Sequence, residues 1–437
     1  MTPLGWLGIV RLGLIQAALG SVVVLVTSTL NRVMIVELAL PAIVPGALVA
    51  LHYAIQVLRP RLGYGSDMGG RRTPWILGGM AALAAGGTGA AAATALMATQ
   101  PVLGVFLATL AFLLVGLGVG AAGTSLLTLL AQRVDPRRRA PAASLLWLMM
   151  ILGIAVTATL AGRALDPFSP ARLVGVVGLV SGVAFVVAAL ALWGIEGPGA
   201  AQASQPAAPA GFVRALTEVW AEPQSRRFAV FVFVSMLAYS AQELVIEPFA
   251  GAVFALTPGQ STGLTGLHHA GVLAGMAAVA LGGALLGEFR TAAMRAWTMG
   301  GCLGSAVAIL MLAVCGLMGP AWSLRVAVLA LGVANGSFAV SAIGSMMGLA
   351  STGRESREGT RMGLWGAAQA LAFGAGGLFG TGMTDVSRWL IGSPASAYAA
   401  VFVLEALLFL VAARLAAGVF QTAGAGVRLP DGVAQAG

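Results

Sequence analysis

Twelve apolar stretches, separated by short connections, account for most of this chain. A helix needs about 20 apolar residues to cross the hydrocarbon core of a bilayer, and each stretch has roughly that length. Only 9% of the 437 residues are charged, whereas a soluble domain carries roughly 25%. The sequence therefore predicts an all-α membrane protein with twelve transmembrane helices. The predicted spans are residues 12–36, 42–58, 74–97, 102–131, 141–163, 171–193, 228–254, 267–287, 295–318, 323–349, 361–384 and 395–418.

Arginines are concentrated in every second connection. Arg59, Arg61, Arg71 and Arg72 follow the second span, and the connections after the fourth, sixth, eighth and tenth spans are also basic. The intervening connections carry few arginines. Short loops rich in arginine remain on the cytoplasmic side of a membrane. The pattern therefore predicts that both termini lie in the cytoplasm.

Residues 194–227 differ in composition from the spans on either side. They include a run rich in glycine, alanine and proline at 197–211, which has too few apolar side chains to form a core. The sequence thus predicts an N-terminal six-helix bundle at 1–193, a cytoplasmic linker at 194–227 and a C-terminal six-helix bundle at 228–437.

A charged, glycine-rich loop joins the second and third spans. Gly63, Asp67, Gly70, Arg71 and Arg72 follow the pattern G-x-x-x-D-x-x-G-R-R, and glycine allows the backbone to turn sharply. The motif resembles the loop between helices 2 and 3 of the major facilitator superfamily of secondary transporters. The resemblance implies two pseudo-symmetric six-helix bundles that pack about an axis along the membrane normal. It also implies a conformational role for this loop.

Ionisable side chains inside a span mark candidate functional positions, because each costs about 2.5–3.5 kcal/mol at the bilayer centre. Asn31 and Arg32 lie towards the end of the first span, and Gln242, Glu243 and Glu247 lie in the seventh. Glu243 and Glu247 are four residues apart and share one helical face. Spans 1 and 7 are equivalent in the two halves, so Arg32 is expected to meet one of these glutamates beside the central cavity. The pair would be a gate or binding element, or a salt bridge at the rim that fixes the helices.

Several short stretches resemble a narrower family. They are Leu-Asn-Arg-Val-Met-Ile at 30–35, Leu-His-Tyr-Ala at 51–54 and Gln-Glu-Leu-Val-Ile-Glu-Pro-Phe at 242–249. These stretches are similar to the bacteriochlorophyll delivery branch of the major facilitator superfamily, which includes the light-harvesting assembly proteins PucC and LhaA. The resemblance implies that the protein handles or delivers bacteriochlorophyll, or a precursor, in the inner membrane of phototrophic bacteria. The implied partners are membrane lipid, light-harvesting apoproteins, the reaction centre and bacteriochlorophyll synthase.

The chain has 3 histidines, which are candidate ligands for such a pigment. The magnesium of a bacteriochlorophyll accepts one axial ligand, usually an imidazole nitrogen. His52 lies in the second span, and His268 and His269 are expected at the start of the eighth, after a loop rich in glycine and threonine. Each could instead be a hydrogen-bonded packing residue. Glutamine, glutamate, a backbone carbonyl or water could also ligate the magnesium.

The sequence contains no nucleotide-binding loop, no Ser/His/Asp arrangement and no His-Glu-x-x-His motif. We therefore expect a protein without enzymatic activity, catalytic residues or a resident metal, and the arginines in short connections argue for membrane topology rather than nucleic-acid binding. Two other functions remain open. One is a proton-coupled transporter of a small solute, in which Glu243 or Glu247 takes up the proton. The other is a scaffold that holds partners and moves no substrate.

Overall fold

The computed structural model describes residues 4–59, 62, 71–135, 138–196, 220–285, 290–319, 321–351 and 358–424. Within these ranges the chain is a succession of helices. They are α1 Trp6–Glu37, α2 Ile43–Ala54 with a continuing 3₁₀ turn at Ile55–Leu58, α3 Thr73–Leu96, α4 Pro101–Arg133, α5 Arg139–Leu165, α6 Pro170–Leu192, α7 Pro223–Phe254, α8 Pro258–Leu285, α9 Arg290–Met318, α10 Ala321–Ser351, α11 Glu358–Ile391 and α12 Pro394–Gly424. Each predicted span overlaps one of these helices, so the predicted fold class is confirmed.

Helix α8 begins about two turns earlier than the sequence predicted. The stretch from Pro258 to Thr265 is polar and was expected to be a loop, but it is helical. Proline is favoured in the first turn of a helix because its missing N–H group has no helical partner there. Ser261 and Thr262 are fully buried, and the Ser261 hydroxyl donates to the carbonyl of Thr257 at 3.1 Å. His268 and His269 therefore lie in the helix interior rather than at its start.

The two halves have separate apolar cores. One core consists of buried residues between Ile9 and Ile195, together with Leu244. The other consists of buried residues between Phe228 and Val419. Most of the predicted linker, residues 197–219, lies outside the described residues, so the predicted domain boundaries stay a prediction.

Glycines bring neighbouring helices into backbone contact. On α8 and α10, a Cβ added at Gly336 would lie 2.0 Å from the carbonyl oxygen of Val272, and one at Gly332 would lie 2.1 Å from that of His268. On α7 and α11, one at Gly376 would lie 2.5 Å from the carbonyl oxygen of Leu237. Small residues allow such close approach between membrane helices. These glycines therefore fix the distances between the helices that surround the candidate site.

Among the described residues, the hydrogen bonds between the two halves lie towards one end of the bundle. They join residues 28–43 and Asp166 of the N-terminal half to residues 244–265 and Asp385 of the C-terminal half. Asp385, near the end of α11, accepts from the backbone N–H groups of Ala42 at 2.9 Å and Ile43 at 2.8 Å. We call this the bonded end. It contains the α1–α2 and α7–α8 connections.

At the opposite end, Glu196 caps the start of α3. Its carboxylate accepts from the backbone N–H groups of Arg72 at 2.6 Å and Thr73 at 2.8 Å, which have no partner within the helix. Partial burial acts to raise the pKa of this carboxyl, but these hydrogen bonds outweigh it, so the pKa lies below its ordinary value. Arg71 and Arg72 of the predicted conformational loop are thus held near the end of α6, whereas Gly63, Asp67 and Gly70 lie outside the described residues.

Replacing Glu196 with alanine is expected to destabilise the protein by about 1–2 kcal/mol at neutral pH, because it removes a helix cap. Since folding lowers the pKa of Glu196, its contribution is present above the ordinary glutamate pKa of about 4.3 and is lost as the pH falls below that value. The difference in melting temperature between wild type and Glu196→Ala should therefore shrink between neutral and acidic pH. A difference that is constant over this range would contradict the assignment.

Candidate functional site

Two irregular turns interrupt α1 where its polar residues are buried. Residues Leu25–Thr29 and Val33–Glu37 are π-helical, and Leu30–Arg32 between them is an ordinary α-helical turn. Such π-turns are frequent at functional sites. This stretch carries four buried polar side chains, which are Ser28, Thr29, Asn31 and Arg32.

Glu247 of α7 is the centre of a hydrogen-bonded cluster. Its Oε1 accepts from the hydroxyl of Ser28 on α1 at 2.7 Å and from the hydroxyl of Thr265 on α8. The same two hydroxyls lie 3.2 Å apart. Because Glu247 is 1% exposed, these hydroxyls replace the water that Oε1 loses on burial, whereas Oε2 has no partner among the described residues. The cluster joins three helices from the two halves.

Pro248 explains a second link between α1 and α7. A proline within a helix has no N–H group to donate to the carbonyl four residues earlier, which here is that of Leu244. The Nδ2 of Asn31 donates to this carbonyl at 2.8 Å. Asn31 therefore supplies the hydrogen bond that Pro248 removes, and the predicted residues Asn31 and Glu247 are brought to the same face of α7.

Arg32 is buried at 1% exposure, and its ion pair is with Glu37 of the same helix, at 2.5 Å, instead of with Glu243 or Glu247. The π-turn places these two residues, five apart, on one face. Arg32 also donates to the carbonyl of Leu256 at 2.6 Å. Its guanidinium acts electrostatically on Glu247. Arg32 thus connects the halves through a backbone carbonyl, and the salt bridge lies on α1.

Glu243 lies one turn further from the bonded end and has aromatic neighbours. Its carboxyl lies close enough to the hydroxyls of Tyr239 and of Tyr53 on α2 for electrostatic interaction. The ring of Phe373 on α11 has its centroid 5.4 Å from that of Tyr53 and 6.0 Å from that of Tyr239. All four side chains are only partly buried. The rings of Tyr53, Tyr239 and Phe373 form a row that crosses from one half to the other, which we call the aromatic row.

His269 has one ring nitrogen without a hydrogen-bond partner among the described residues, which leaves that nitrogen available to a ligand. Its Nδ1 lies 2.9 Å from the carbonyl of Thr265. A carbonyl oxygen only accepts, so Nδ1 carries the proton and Nε2 carries a lone pair. Metal-binding histidines commonly donate their other nitrogen to a carbonyl in this way. Since Thr265 bonds to Ser28 across the halves, the helix face that carries His269 is directed between them.

The lone pairs of His52 and His268 are occupied. Gln56 turns its Oε1 towards Arg59, so its Nε2 donates to Nε2 of His52, 3.1 Å away. Asn335 accepts from Ser305 with its Oδ1, and its Nδ2 donates to Nε2 of His268 at 3.2 Å. The Nε2 lone pair of each histidine is thus engaged, and the Nδ1 of His52 is buried without a partner among the described residues. Their rings still lie beside the aromatic row. The ring centroid of His52 is 4.9 Å from that of Tyr53, and the ring centroid of His268 is 6.5 Å from that of Tyr239.

Gln242 is fully buried, and neither its Oε1 nor its Nε2 has a hydrogen-bond partner among the described residues. It lies on the face of α7 directed into the C-terminal bundle. The structure therefore separates it from the other four predicted site residues on α1 and α7.

Sequence reasoning missed the hydroxyl and aromatic residues that complete the site. Ser28 lies inside the first predicted span, whereas Thr265 was assigned to the loop before the eighth. Each precedes a predicted site residue by four positions, so each shares a helical face with that residue. Tyrosine is rare in this chain, with 4 in total, and Tyr53 and Tyr239 are two of them. A polar side chain at helical spacing from a charged one was the available signal. Glu405, an acid within the last span, was also missed.

Comparison with solved structures agrees with the fold. A bacterial homologue of the human lysosomal transporter Spinster, in an inward-facing and unoccupied conformation, matches with a TM-score of 0.72 and 16% identity over 97% of this chain and 98% of that one. The peptide transporter POT in complex with sulfate matches with a TM-score of 0.67 and 14% identity over 96% and 97%. The fold, with a polar site between its two halves, defines a membrane protein of the major facilitator type.

The family is shown by the sequence comparisons. The chain belongs to the family described as PUCC protein, whose family model matches residues 29–424. It is 51% identical over 430 residues to the "Bacteriochlorophyll synthase 44.5 kDa chain" of Rhodobacter capsulatus, covering 98% of both chains. It is 31% identical over 447 residues to "Protein PucC" of Cereibacter sphaeroides, covering 92% of this chain and 90% of that one. The resemblance inferred from the short stretches is thereby confirmed.

Proposed function

We propose that this protein binds bacteriochlorophyll, or a precursor of it, between its two halves and delivers it to light-harvesting or reaction-centre apoproteins. The names of its relatives support a role in this pigment's metabolism. The arginine distribution supports a location in the bacterial inner membrane with both termini in the cytoplasm. Membrane lipid and bacteriochlorophyll synthase are the other proposed partners.

Two observations carry this proposal, which are the available Nε2 of His269 and the aromatic row. The His269 ring has its centroid 5.1 Å from that of His268, which lies 6.5 Å from the ring centroid of Tyr239 in the row. A bacteriochlorophyll presents a magnesium with one axial position and a broad flat ring. The free Nε2 of His269 suits the metal, and the partly buried rings of Tyr53, Tyr239 and Phe373 suit the ring face. The pigment would be cargo in this site and not a permanent cofactor.

We propose handling of pigment rather than catalysis. Glu247 is engaged by Ser28 and Thr265, and Arg32 by Glu37 and a backbone carbonyl. These groups hold helices together at the bonded end. A relative that is called a synthase chain is compatible with a subunit that receives pigment from a synthesising partner.

The test is to purify the full-length protein from the membranes of a bacterium that makes bacteriochlorophyll, record its absorption spectrum and identify the proteins that purify with it. Far-red pigment absorbance in stoichiometric amount is expected. A pigment-free preparation that retains antenna subunits would favour a scaffold. A preparation with neither, together with pH-dependent solute uptake in proteoliposomes that Glu243→Gln abolishes, would favour a proton-coupled transporter.

A further inference from the structure

Helices α7 and α12 face each other through two regular stripes of buried residues. The positions alternate at spacings of three and four, which places them on one helix face, and every member is at most 1% exposed. On α7 they are Phe228, Phe231, Ser235, Ala238, Gln242, Val245 and Phe249, and on α12 they are Tyr398, Phe402, Glu405, Phe409, Ala412, Ala416 and Val419. Two of these fourteen side chains, Gln242 and Glu405, have long polar groups.

The register of the stripes brings Gln242 and Glu405 together. Phe249 packs on α12, with its ring centroid 4.9 Å from that of Phe402 and 5.6 Å from that of Tyr398. Helix α7 is an odd-numbered span and α12 an even-numbered one, so the two run in opposite directions. Seven residues towards the N-terminus of α7 therefore correspond to seven residues towards the C-terminus of α12. This step leads from Phe249 to Gln242, from Tyr398 to Glu405 and from Phe402 to Phe409. Gln242 therefore lies level with the turn of α12 between Glu405 and Phe409.

Neither side chain has a hydrogen-bond partner in the described part of the chain. Both carboxyl oxygens of Glu405 and both polar atoms of Gln242 are buried without one, and each residue is 0% exposed. Native proteins rarely leave buried polar atoms unpaired, and a bound water or ion is one explanation for such groups. The four polar atoms of Gln242 and Glu405 thus need a partner that the described side chains do not supply.

The surroundings of Glu405 provide no charge to balance an ionised carboxylate. Helices α7, α9 and α11 pack on α12. Helix α10 also contacts α12, through the rings of Phe338 and Phe409. Among the described titratable or charged side chains of these five helices, Glu247 and Asp385 bond elsewhere, and Tyr239 and Glu243 interact with each other. The others form no ion pair with Glu405; they are Arg226, Arg227, Arg295, Cys302, Cys315, Arg325, Arg388, Tyr398 and Arg414. An isolated charge in such a place is very costly, and a carboxyl avoids the cost by holding its proton.

We propose that Gln242 and Glu405 form a proton-binding site inside the C-terminal bundle. Glu405 is held there as the neutral acid, and a bound water carries the hydrogen bond from its hydroxyl to Oε1 of Gln242. The site is independent of pigment binding. Glu243 and Glu247 lie on a different face of α7 from Gln242, so the two sites are separate.

The test uses two carbodiimides on the purified full-length protein, followed by peptide mass spectrometry. Apolar dicyclohexylcarbodiimide adds to protonated carboxyls in apolar surroundings, whereas a water-soluble carbodiimide does not reach them. We expect Glu405 to be modified by the first reagent only, with less modification as the pH rises and no change on replacing choline chloride by sodium chloride. Loss of the modified peptide in Glu405→Gln confirms the position. Protection by sodium would show a cation site, and an unmodified Glu405 beside modified Glu243 and Glu247 would also overturn the proposal.

Paired variants test the role of Gln242. In Gln242→Leu the acid loses its acceptor, so the melting temperature is expected to fall. In the double variant Gln242→Leu/Glu405→Leu both polar groups are gone, and the melting temperature is expected to recover towards that of the wild type. If the fall in melting temperature of the double variant instead equalled the sum of the falls in Gln242→Leu and Glu405→Leu, the two residues would not be coupled. That result would exclude the shared site.

Discussion

Replacing His269 with leucine is expected to lower the far-red pigment absorbance per mole of purified protein by about tenfold or more. Leucine removes the single histidine lone pair that the structure leaves available, while it fills a similar volume on a helix whose backbone is otherwise unchanged. The measurement is the ratio of far-red to protein absorbance after purification from pigment-producing cells. The melting temperature of the variant is measured in parallel, so that loss of pigment is distinguished from loss of fold.

His52→Leu is the matched control. His52 is as deeply buried as His269 and lies beside the same aromatic row, but its Nε2 is occupied by Gln56. This variant is expected to keep its pigment. If both variants lost pigment equally, the ligand assignment to His269 would be wrong although the proposed function could stand. Wild-type protein without pigment would contradict the function itself.

Gly336→Val is expected to destabilise the protein by roughly 3 kcal/mol or more, the upper range for overpacking a close contact. A Cβ at this position would lie 2.0 Å from the carbonyl oxygen of Val272 and 2.8 Å from its carbonyl carbon. These are backbone atoms, so no side chain can move aside and α8 and α10 must separate. The expected result is little or no monodisperse protein on size-exclusion chromatography.

Gly182→Val on α6 provides the comparison, because a Cβ there meets nothing within 4 Å. It carries the same intrinsic cost of valine in a helix but no helix contact. Its yield and elution profile are expected to resemble those of the wild type. Equal behaviour of the two variants would show that the α8–α10 contact does not limit folding.

The sequence predicted the number and approximate extent of the helices because hydrophobic length is a local property. Its main error was the start of α8, where serine and threonine were interpreted as a loop. The hydroxyl of a threonine in a membrane helix can bond to a backbone carbonyl of its own helix or to a group on another helix. The hydroxyl oxygen of Thr262 lies 3.1 Å from that of Thr29 on α1. That partner is more than two hundred residues away in sequence, so no local pattern could indicate it.

The ionisable members of the candidate site were indicated by the sequence, but its hydroxyl and aromatic members and the pairing of the side chains were not. Helical spacing correctly indicated that α1 and α7 carry the buried polar groups. Arg32 pairs with Glu37 because the turn between them is π-helical, which places residues five apart on one face. The spacing of an ordinary α-helix does not predict this pair. Likewise, the choice among the histidines required the hydrogen bonds of Gln56, Asn335 and Thr265. These depend on the tertiary structure.

The hydrogen bonds between the two halves are clustered at the bonded end, and this limits access to the space between the halves. These bonds close the bonded end, which the arginine distribution predicts to be the side away from the cytoplasm. Opening this end would require many of them to break together. In this state, access to the space between the halves is therefore expected from the opposite end of the bundle.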